Sequence, residues 1–353
     1  MKLTTIIQVM RYRGAVAECN NFKGFKNRSE IFYWKKFWIT VLFLSSSLCF
    51  DAGMTTLVSK EELEILLNLE GDRSTINEVS SIRLLSLKIY TIKVTNSLIQ
   101  MSQKLEVKAS LKAVYNLIDD YNFLLRSMRT FEELLDGSYD VNEQIEEFRL
   151  RADILVKLFL THFKLSLILK DEADKALKIE HDMLAFVHGL TILKLGLELS
   201  TRTDDSVLRC SVASSILHAL LKSIFIIVSI YFRIYDGIIS GLDLMNFIQK
   251  STCSSLIFWL GVSSEVMNEN QIITLLNEKL WRIYIELGKK ESDYYCRKTH
   301  YMMKVYIIPY IVRKYDFSIF QQEEMTLNLP ISPLSFDFVQ ADFPLLWDDY
   351  FGG

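Results

Sequence analysis

The chain has 353 residues, half of them apolar and 24 % charged, which suffices for one large or two ordinary domains with a sizeable core. No pair of its five cysteines has metal-knuckle or redox spacing, which argues against a disulfide framework and favours a reduced, intracellular compartment. The net charge of −3 is unevenly placed, because all 40 basic residues lie in residues 1–314 beside 36 acids, and seven acids lie in residues 315–353.

The chain is predicted to have three parts. Residues 1–28 are basic and irregular and are expected to form a poorly ordered arm. Residues 29–314 contain no proline before Pro309 and no Gly, Ser or Pro linker, and their apolar residues recur at helical spacing. They are predicted to form one all-α domain, an irregular bundle or array of antiparallel helical hairpins. Residues 315–353 form an acidic, aromatic tail that is expected to be flexible.

Helix starts and stripes support the helical body. Three pairs have capping-box spacing, in which a hydroxyl and a carboxylate satisfy free amides at a helix start: Ser59/Glu62, Thr75/Glu78 and Thr130/Glu133. One apolar stripe comprises Ile82, Leu85, Ile89, Ile92 and Ile99, and another comprises Ile145, Phe148, Ala152, Leu155 and Phe159. Breaks are predicted at 70–72, 136–138, 201–205, 236–237 and 268–270.

Three apolar segments, 37–50, 211–232 and 251–264, raise a membrane alternative. The first and last have 14 uncharged residues each, which is short for a span. The middle segment is longer, but Lys222 lies near its centre, where a charge costs roughly 2.5–3.5 kcal/mol on insertion scales. Its polar residues also form one helical stripe, which favours a core helix with a wet edge. A helical membrane or membrane-associated protein with these spans is the alternative.

The sequence carries no recognised catalytic motif. It lacks a phosphate loop, a G-x-G-x-x-G, a G-x-S-x-G elbow and an H-E-x-x-H pair, so no catalytic residue is predicted and the chain is expected not to be an enzyme. His181 and His188 share a helix face near Asp182, but no further ligand is evident and no metal or cofactor is predicted. Glu143, Glu146 and Glu147 are interpreted as a solvated helix face.

A resemblance to a known family lies at residues 33–55, which read Tyr-Trp-Lys-Lys-Phe-Trp-Ile-Thr-Val-Leu-Phe-Leu-Ser-Ser-Ser-Leu-Cys-Phe-Asp-Ala-Gly-Met-Thr. This stretch resembles the signature of the fungal transcription-factor regulatory domain, which follows a zinc-cluster DNA-binding domain. The matching positions are Lys35, Lys36, Trp38 and Gly53. Ser45-Ser46 stands where the family has Asp-Arg, and Met54-Thr55 stands where it has Arg-Pro.

The resemblance implies a nuclear transcription regulator with a helical regulatory domain and, in some members, a small apolar inducer bound among the helices. The spacing of the five cysteines does not fit the family's six-cysteine zinc cluster. The chain is therefore expected to correspond to the C-terminal part of such a factor, either as a fragment or as a divergent paralogue, and direct DNA binding is not expected from this chain alone.

The tail adds a candidate partner site. Its end reads Phe-Pro-Leu-Leu-Trp-Asp-Asp-Tyr-Phe from residue 343 to residue 351, and acidic-hydrophobic composition of this kind is typical of activation segments. Pro344 could start a short helix whose aromatic face enters a groove on a coactivator, while the acids assist the encounter. The candidate coactivator-binding residues are Phe343, Leu346, Trp347, Asp348, Asp349, Tyr350 and Phe351.

Overall fold

A computed structural model describes residues 28–51, 53–59, 62, 79–102, 107–135, 141–169, 175–201, 220, 223–224, 227–231, 233–234, 237–251, 268–289 and 294–308. Of these residues, 89 % are α-helical and none lies in a strand, which confirms the all-α prediction. The predictions for the arm before residue 28, for the Thr75/Glu78 capping box and for the tail at 315–353 lie outside the described residues. So do the predicted breaks at 70–72 and 136–138 and most of the break at 201–205.

The described helices follow one another closely along the chain. Their bounds are α1 Arg28–Asp51, α2 Val79–Ser102, α3 Val107–Arg126, α4 Phe131–Leu135, α5 Val141–Ile168, α6 Lys175–Thr201, α7 Gly241–Ser251, α8 Glu269–Gly288 and α9 Tyr294–Met302, and a π-helical turn, Met303–Ile307, follows α9. The chain divides into two compact units, Met1–Leu155 and Val156–Gly353, and this boundary falls inside α5. That residues 29–314 act as a single domain stays a prediction.

In the first unit, α1 packs against α2. The buried face of α1 carries Trp38, Ile39 and Leu42, each at most 1 % exposed. Side-chain contacts link Lys88 to Thr40 at 3.4 Å and Ser46 to Asn96 at 2.9 Å. Because the earlier residues of both helices meet and the later residues of both meet, α1 and α2 run in the same direction, so they are not a hairpin pair.

The end of α1 is a glycine cap. Gly53 has a φ of 64°, a left-handed conformation that residues with a Cβ rarely adopt. The Met54 N–H donates to the Cys49 carbonyl at 2.8 Å and the Gly53 N–H donates to the Phe50 carbonyl at 3.3 Å. These two bonds are the pattern of a Schellman motif, which satisfies carbonyls that the helix end would otherwise leave free.

The pair α2 and α3, in contrast, is antiparallel. Tyr90 donates to Asp120 at 2.9 Å. Arg83, two turns earlier on α2, donates to the Ser127 carbonyl just beyond α3 at 2.7 Å. This pair agrees with the predicted hairpins, although the arrangement of the whole body as such hairpins stays a prediction.

Two predicted capping boxes are confirmed in the first unit. The Ser59 N–H donates to the Glu62 carboxylate at 2.9 Å and the Glu62 N–H donates to the Ser59 hydroxyl at 3.1 Å. Thr130 and Glu133 exchange the same two bonds at the start of α4. Each box satisfies two amide donors that have no carbonyl partner within their own helix.

Helix α5 is buried far beyond its predicted stripe. Every residue from 152 to 163 is buried, so this segment has no wet face. Of the predicted stripe, Phe148, Ala152, Leu155 and Phe159 are buried at 0–5 % exposure, whereas Ile145 is half-buried. The buried His162 of this segment, and Glu147 just before it, belong to the two candidate sites described below.

In the second unit, the later half of α5 and helix α6 form an antiparallel pair. A Cβ built on Gly189 of α6 would lie 3.3 Å from Cε2 of Phe159, so the absence of a side chain allows close approach. Gly237 has a φ of 68° and repeats the Schellman bonding seen at Gly53, which confirms a chain break there. Asn268 and Gln271 form a capping box at the start of α8, at the predicted break.

One structural finding bears on the membrane alternative. None of the described helices is both long and apolar enough to cross a membrane. Segment 37–50 lies within α1, where Ser45 and Ser46 are buried in the first unit. Segments 211–232 and 251–264 lie largely outside the described residues.

Candidate functional sites

The four signature residues lie at the start, the middle and the end of α1 and its cap. Trp38 is 1 % exposed and forms part of the apolar face of α1. Lys36 lies 3.4 Å from the Glu146 carboxylate of α5, and Lys35 is half-buried. Gly53 is the left-handed residue of the cap. The candidate coactivator-binding residues of the tail lie outside the described residues.

The three glutamates of α5 form an ion-pair network in the first unit, with Glu147 buried and Glu143 and Glu146 partly exposed, so the prediction of a solvated helix face is wrong. Glu147 is fully buried, and its two carboxylate oxygens lie 3.0 Å from Arg83 Nη2 and 3.0 Å from Arg129 Nε. The Arg129 backbone N–H also donates to Glu147 at 2.8 Å, and the Arg129 guanidinium pairs with Glu143.

Glu146 extends the network toward α1 and α2. Its carboxylate lies 3.1 Å from Lys88 Nζ and 3.4 Å from Lys36 Nζ. Burial lowers the pKa of Lys88, and the attraction of Glu146 opposes that effect. Basic groups from α1, from α2 and from the loop before α4 thus converge on one turn of α5. Since every charge in it meets an opposite one, we interpret the network as a lock on the helix arrangement.

A second polar cluster consists of three histidines in the second unit. His162 of α5 places its Nδ1 3.1 Å from Nδ1 of His181 on α6. The rings of His162 and His188 stack with centroids 5.5 Å apart and planes 19° apart. His162 and His181 are 2 % and 3 % exposed, and His188 is half-buried. Beside them, Asp182 pairs with Arg233.

The environment of the cluster keeps the imidazoles neutral. Burial lowers the pKa of His162 well below its ordinary value, and the neighbouring His188 and His181 lower it further. Burial alone lowers the pKa of His188 to about 4. Burial also lowers the pKa of His181, where Glu180 and Asp182 act in the opposite direction.

Sequence reasoning paired His181 with His188 but missed His162. A signal for it was present, because His162 follows Phe159 by three residues and continues the stripe of Phe148, Leu155 and Phe159. The basic partners of the glutamates had no comparable signal, since they come from elements distant in sequence.

Among the residues that the structure describes, no group of three or more His, Cys, Asp or Glu side chains could hold a metal ion. The chemistry that the histidine cluster offers is proton uptake and release. No protein-family model, curated protein or solved structure matches this chain.

Proposed function

We propose that this chain is a fungal-type transcription regulator in which a helical regulatory body carries an acidic activation segment at residues 336–353. The observation that carries the proposal is the composition of the tail. Residues 315–353 hold seven acids and no base, together with a dense set of aromatic and aliphatic side chains. That composition is typical of segments that recruit coactivators.

The resemblance at residues 33–55 supports the same function. Trp38 and Lys36 have defined places in the first unit, one in its core and one in its ion-pair network. Both are therefore suited to a structural role in a regulatory domain, and the all-α character of the described residues agrees with such a domain.

In the proposed mechanism, Trp347 and Phe351 are the anchors. They lie four residues apart, so a short helix starting at Pro344 would present both on one face to an apolar groove of the coactivator. Buried aromatic anchors dominate the energy of such interfaces, whereas Asp348 and Asp349 would accelerate encounter with a basic rim. The chain would reach DNA through another factor.

A tethered-reporter experiment tests the proposal. The full chain is fused to an unrelated DNA-binding domain, and transcription of a reporter is measured with and without residues 336–353. We expect the deletion to abolish most activation. Replacing both Trp347 and Phe351 by Ala should have nearly the same effect.

The matched control replaces Phe317 and Phe320 by Ala, two aromatic residues of the same tail that lie before the proposed segment. This variant should activate like the parent, at equal protein level. Reporter transcription that survives the deletion unchanged contradicts the proposal. Pelleting of the chain with carbonate-washed membranes would instead support the membrane alternative.

A further inference from the structure

The three histidines connect the two helices of one antiparallel pair. His162 belongs to α5, whereas His181 and His188 lie two turns apart on α6. His162 therefore touches both partner imidazoles, one through a nitrogen–nitrogen contact and one through a ring stack.

The nitrogen–nitrogen contact constrains the protons. A hydrogen bond between two Nδ1 atoms needs one donor and one acceptor, so at most one of them carries a hydrogen. A doubly protonated imidazole donates from both nitrogens and accepts at neither. If His162 and His181 both became imidazolium ions, two N–H groups would face each other at 3.1 Å, and the contact would become repulsive.

The charges near the cluster are unequally distributed. Glu180 and Asp182 act on His181, and Asp182 also pairs with Arg233. The electrostatic neighbours of His162 are the other two histidines, which add repulsion when protonated. For His188, burial is the dominant influence. Protonation of the cluster thus adds like charges to a buried site.

We propose that His162, His181 and His188 form a pH-responsive lock on the α5–α6 pair, closed when the imidazoles are neutral and released when they are protonated. The inference stands apart from the proposed function, because it depends only on the geometry of the second unit. It would make the opening of this pair respond to mild acidification.

Hydrogen exchange of the full chain, followed by mass spectrometry in the presence of EDTA, tests the lock. Peptides covering 156–168 and 175–201 are compared at about pH 7.5 and about pH 5.5, after division by intrinsic exchange rates. Consider one imidazole that is neutral while the helix pair is closed and has the ordinary pKa of about 6.5 once the pair opens. Its protonation in the open state makes opening about tenfold more frequent at the lower pH. We expect at least that increase in the wild type.

The His162→Asn variant removes one titrating group, and its amide retains a polar atom near the former Nδ1. The increase in opening frequency between about pH 7.5 and about pH 5.5 should be about tenfold smaller than in the wild type, because one titrating imidazole has been removed. The matched control is His300→Asn, because His300 stacks on Tyr284 outside the cluster. That variant should keep the wild-type pH dependence.

Equal pH dependence of opening in the wild type and in His162→Asn would overturn the proposal. If His162→Asn does not fold, titration of the wild-type histidine ring signals by NMR decides. The lock predicts at least two histidines that stay neutral well below pH 6.5 while the α5–α6 amides remain protected. Ordinary titration of all the histidines with no loss of protection would refute it.

Discussion

The two units bury titratable side chains in opposite ways. Around Glu147 in the first unit, carboxylates and basic groups are paired at about 3 Å. Around His162 in the second unit, bases are packed against one another and stay neutral. In the first case an opposite charge offsets the cost of leaving water, and in the second case the loss of the charge avoids it.

Because of this difference, mutation and acid should destabilise the two clusters to different extents. Removing Glu147 from the first cluster takes a buried carboxylate partner from both Arg83 and Arg129. The second cluster tolerates burial as long as the solution does not force protons onto it, so it is sensitive to pH. Mutation is therefore the sharper probe of the first cluster, and acid is the sharper probe of the second.

Among the single substitutions, the largest effect is expected for Glu147→Gln. The change replaces the fully buried carboxylate that Arg83 and Arg129 share by a neutral amide, while Arg129 keeps Glu143 as a partner. Because Arg83 is 39 % exposed and Arg129 stays paired, we expect the free energy of unfolding to fall by about 1.5–3 kcal/mol, the range for a hydrogen bond to a charged group. Urea denaturation followed by circular dichroism measures it. A loss below about 1 kcal/mol would mean that the network is no more valuable than a surface pair.

The next effect is the pH dependence of stability. The folded-state pKa values of His162, His181 and His188 lie below the ordinary value, so the unfolded chain binds more protons as the pH falls below about 6.5. Stability is thus fully present above that pH and is lost below it, by up to about 1.4 kcal/mol per pH unit for each imidazole. For His188 the loss levels off near its folded pKa of about 4.

Urea midpoints between about pH 7.5 and about pH 5 measure this slope, in a range where most carboxylates stay ionised. A urea midpoint that does not change with pH would contradict the proposed difference between the two clusters.

A smaller effect is expected for Asn268→Ala at the start of α8. The Asn268 side chain accepts from the Gln271 N–H at 2.9 Å, and Gln271 accepts from the Asn268 N–H at 2.7 Å. Loss of such a cap costs about 1 kcal/mol. The matched control is Asn246→Ala, at an exposed position inside α7, where Ala is the better helix former and no loss is expected. Equal midpoints for the two variants would contradict the capping role.

The smallest effect is expected for Glu286→Gln. Glu286 pairs with Lys289 at 2.7 Å on the exposed side of α8, where water screens the charges. Its removal should change the free energy of unfolding by less than about 0.5 kcal/mol. The same denaturation assay thus separates a paired charge at the surface from the paired charge of Glu147. If Glu286→Gln lowered the free energy of unfolding as much as Glu147→Gln, the distinction between surface and buried ion pairs would be contradicted.

Local features of the fold could be predicted from the sequence because their causes are local. The capping boxes at Ser59 and Thr130 need two residues at a fixed spacing, and the structure has both. The stripe through Phe148 and Phe159 follows from the helical period. Gly237 marked a break because its backbone requires a positive φ.

The candidate sites depend on distant residues and were harder to predict. Three acids within five residues of α5 usually face water, and nothing near them in sequence names Arg83, Lys88 or Lys36 as partners. These contacts depend on α1 and α2 running in the same direction, which no local pattern in the sequence indicates. His162 was accessible to sequence reasoning only as a continuation of an apolar stripe, a pattern in which a histidine does not stand out.

The cap at Gly53 bears on how much each signature residue says about ancestry. Gly237 ends its helix with the same bonds and the same left-handed backbone, yet it belongs to no signature. A glycine at such a helix end is what the backbone itself demands, whatever the origin of the chain. Lys36 contacts Glu146 of α5 and Trp38 is buried in the first unit, so both positions depend on how helices distant in sequence pack together.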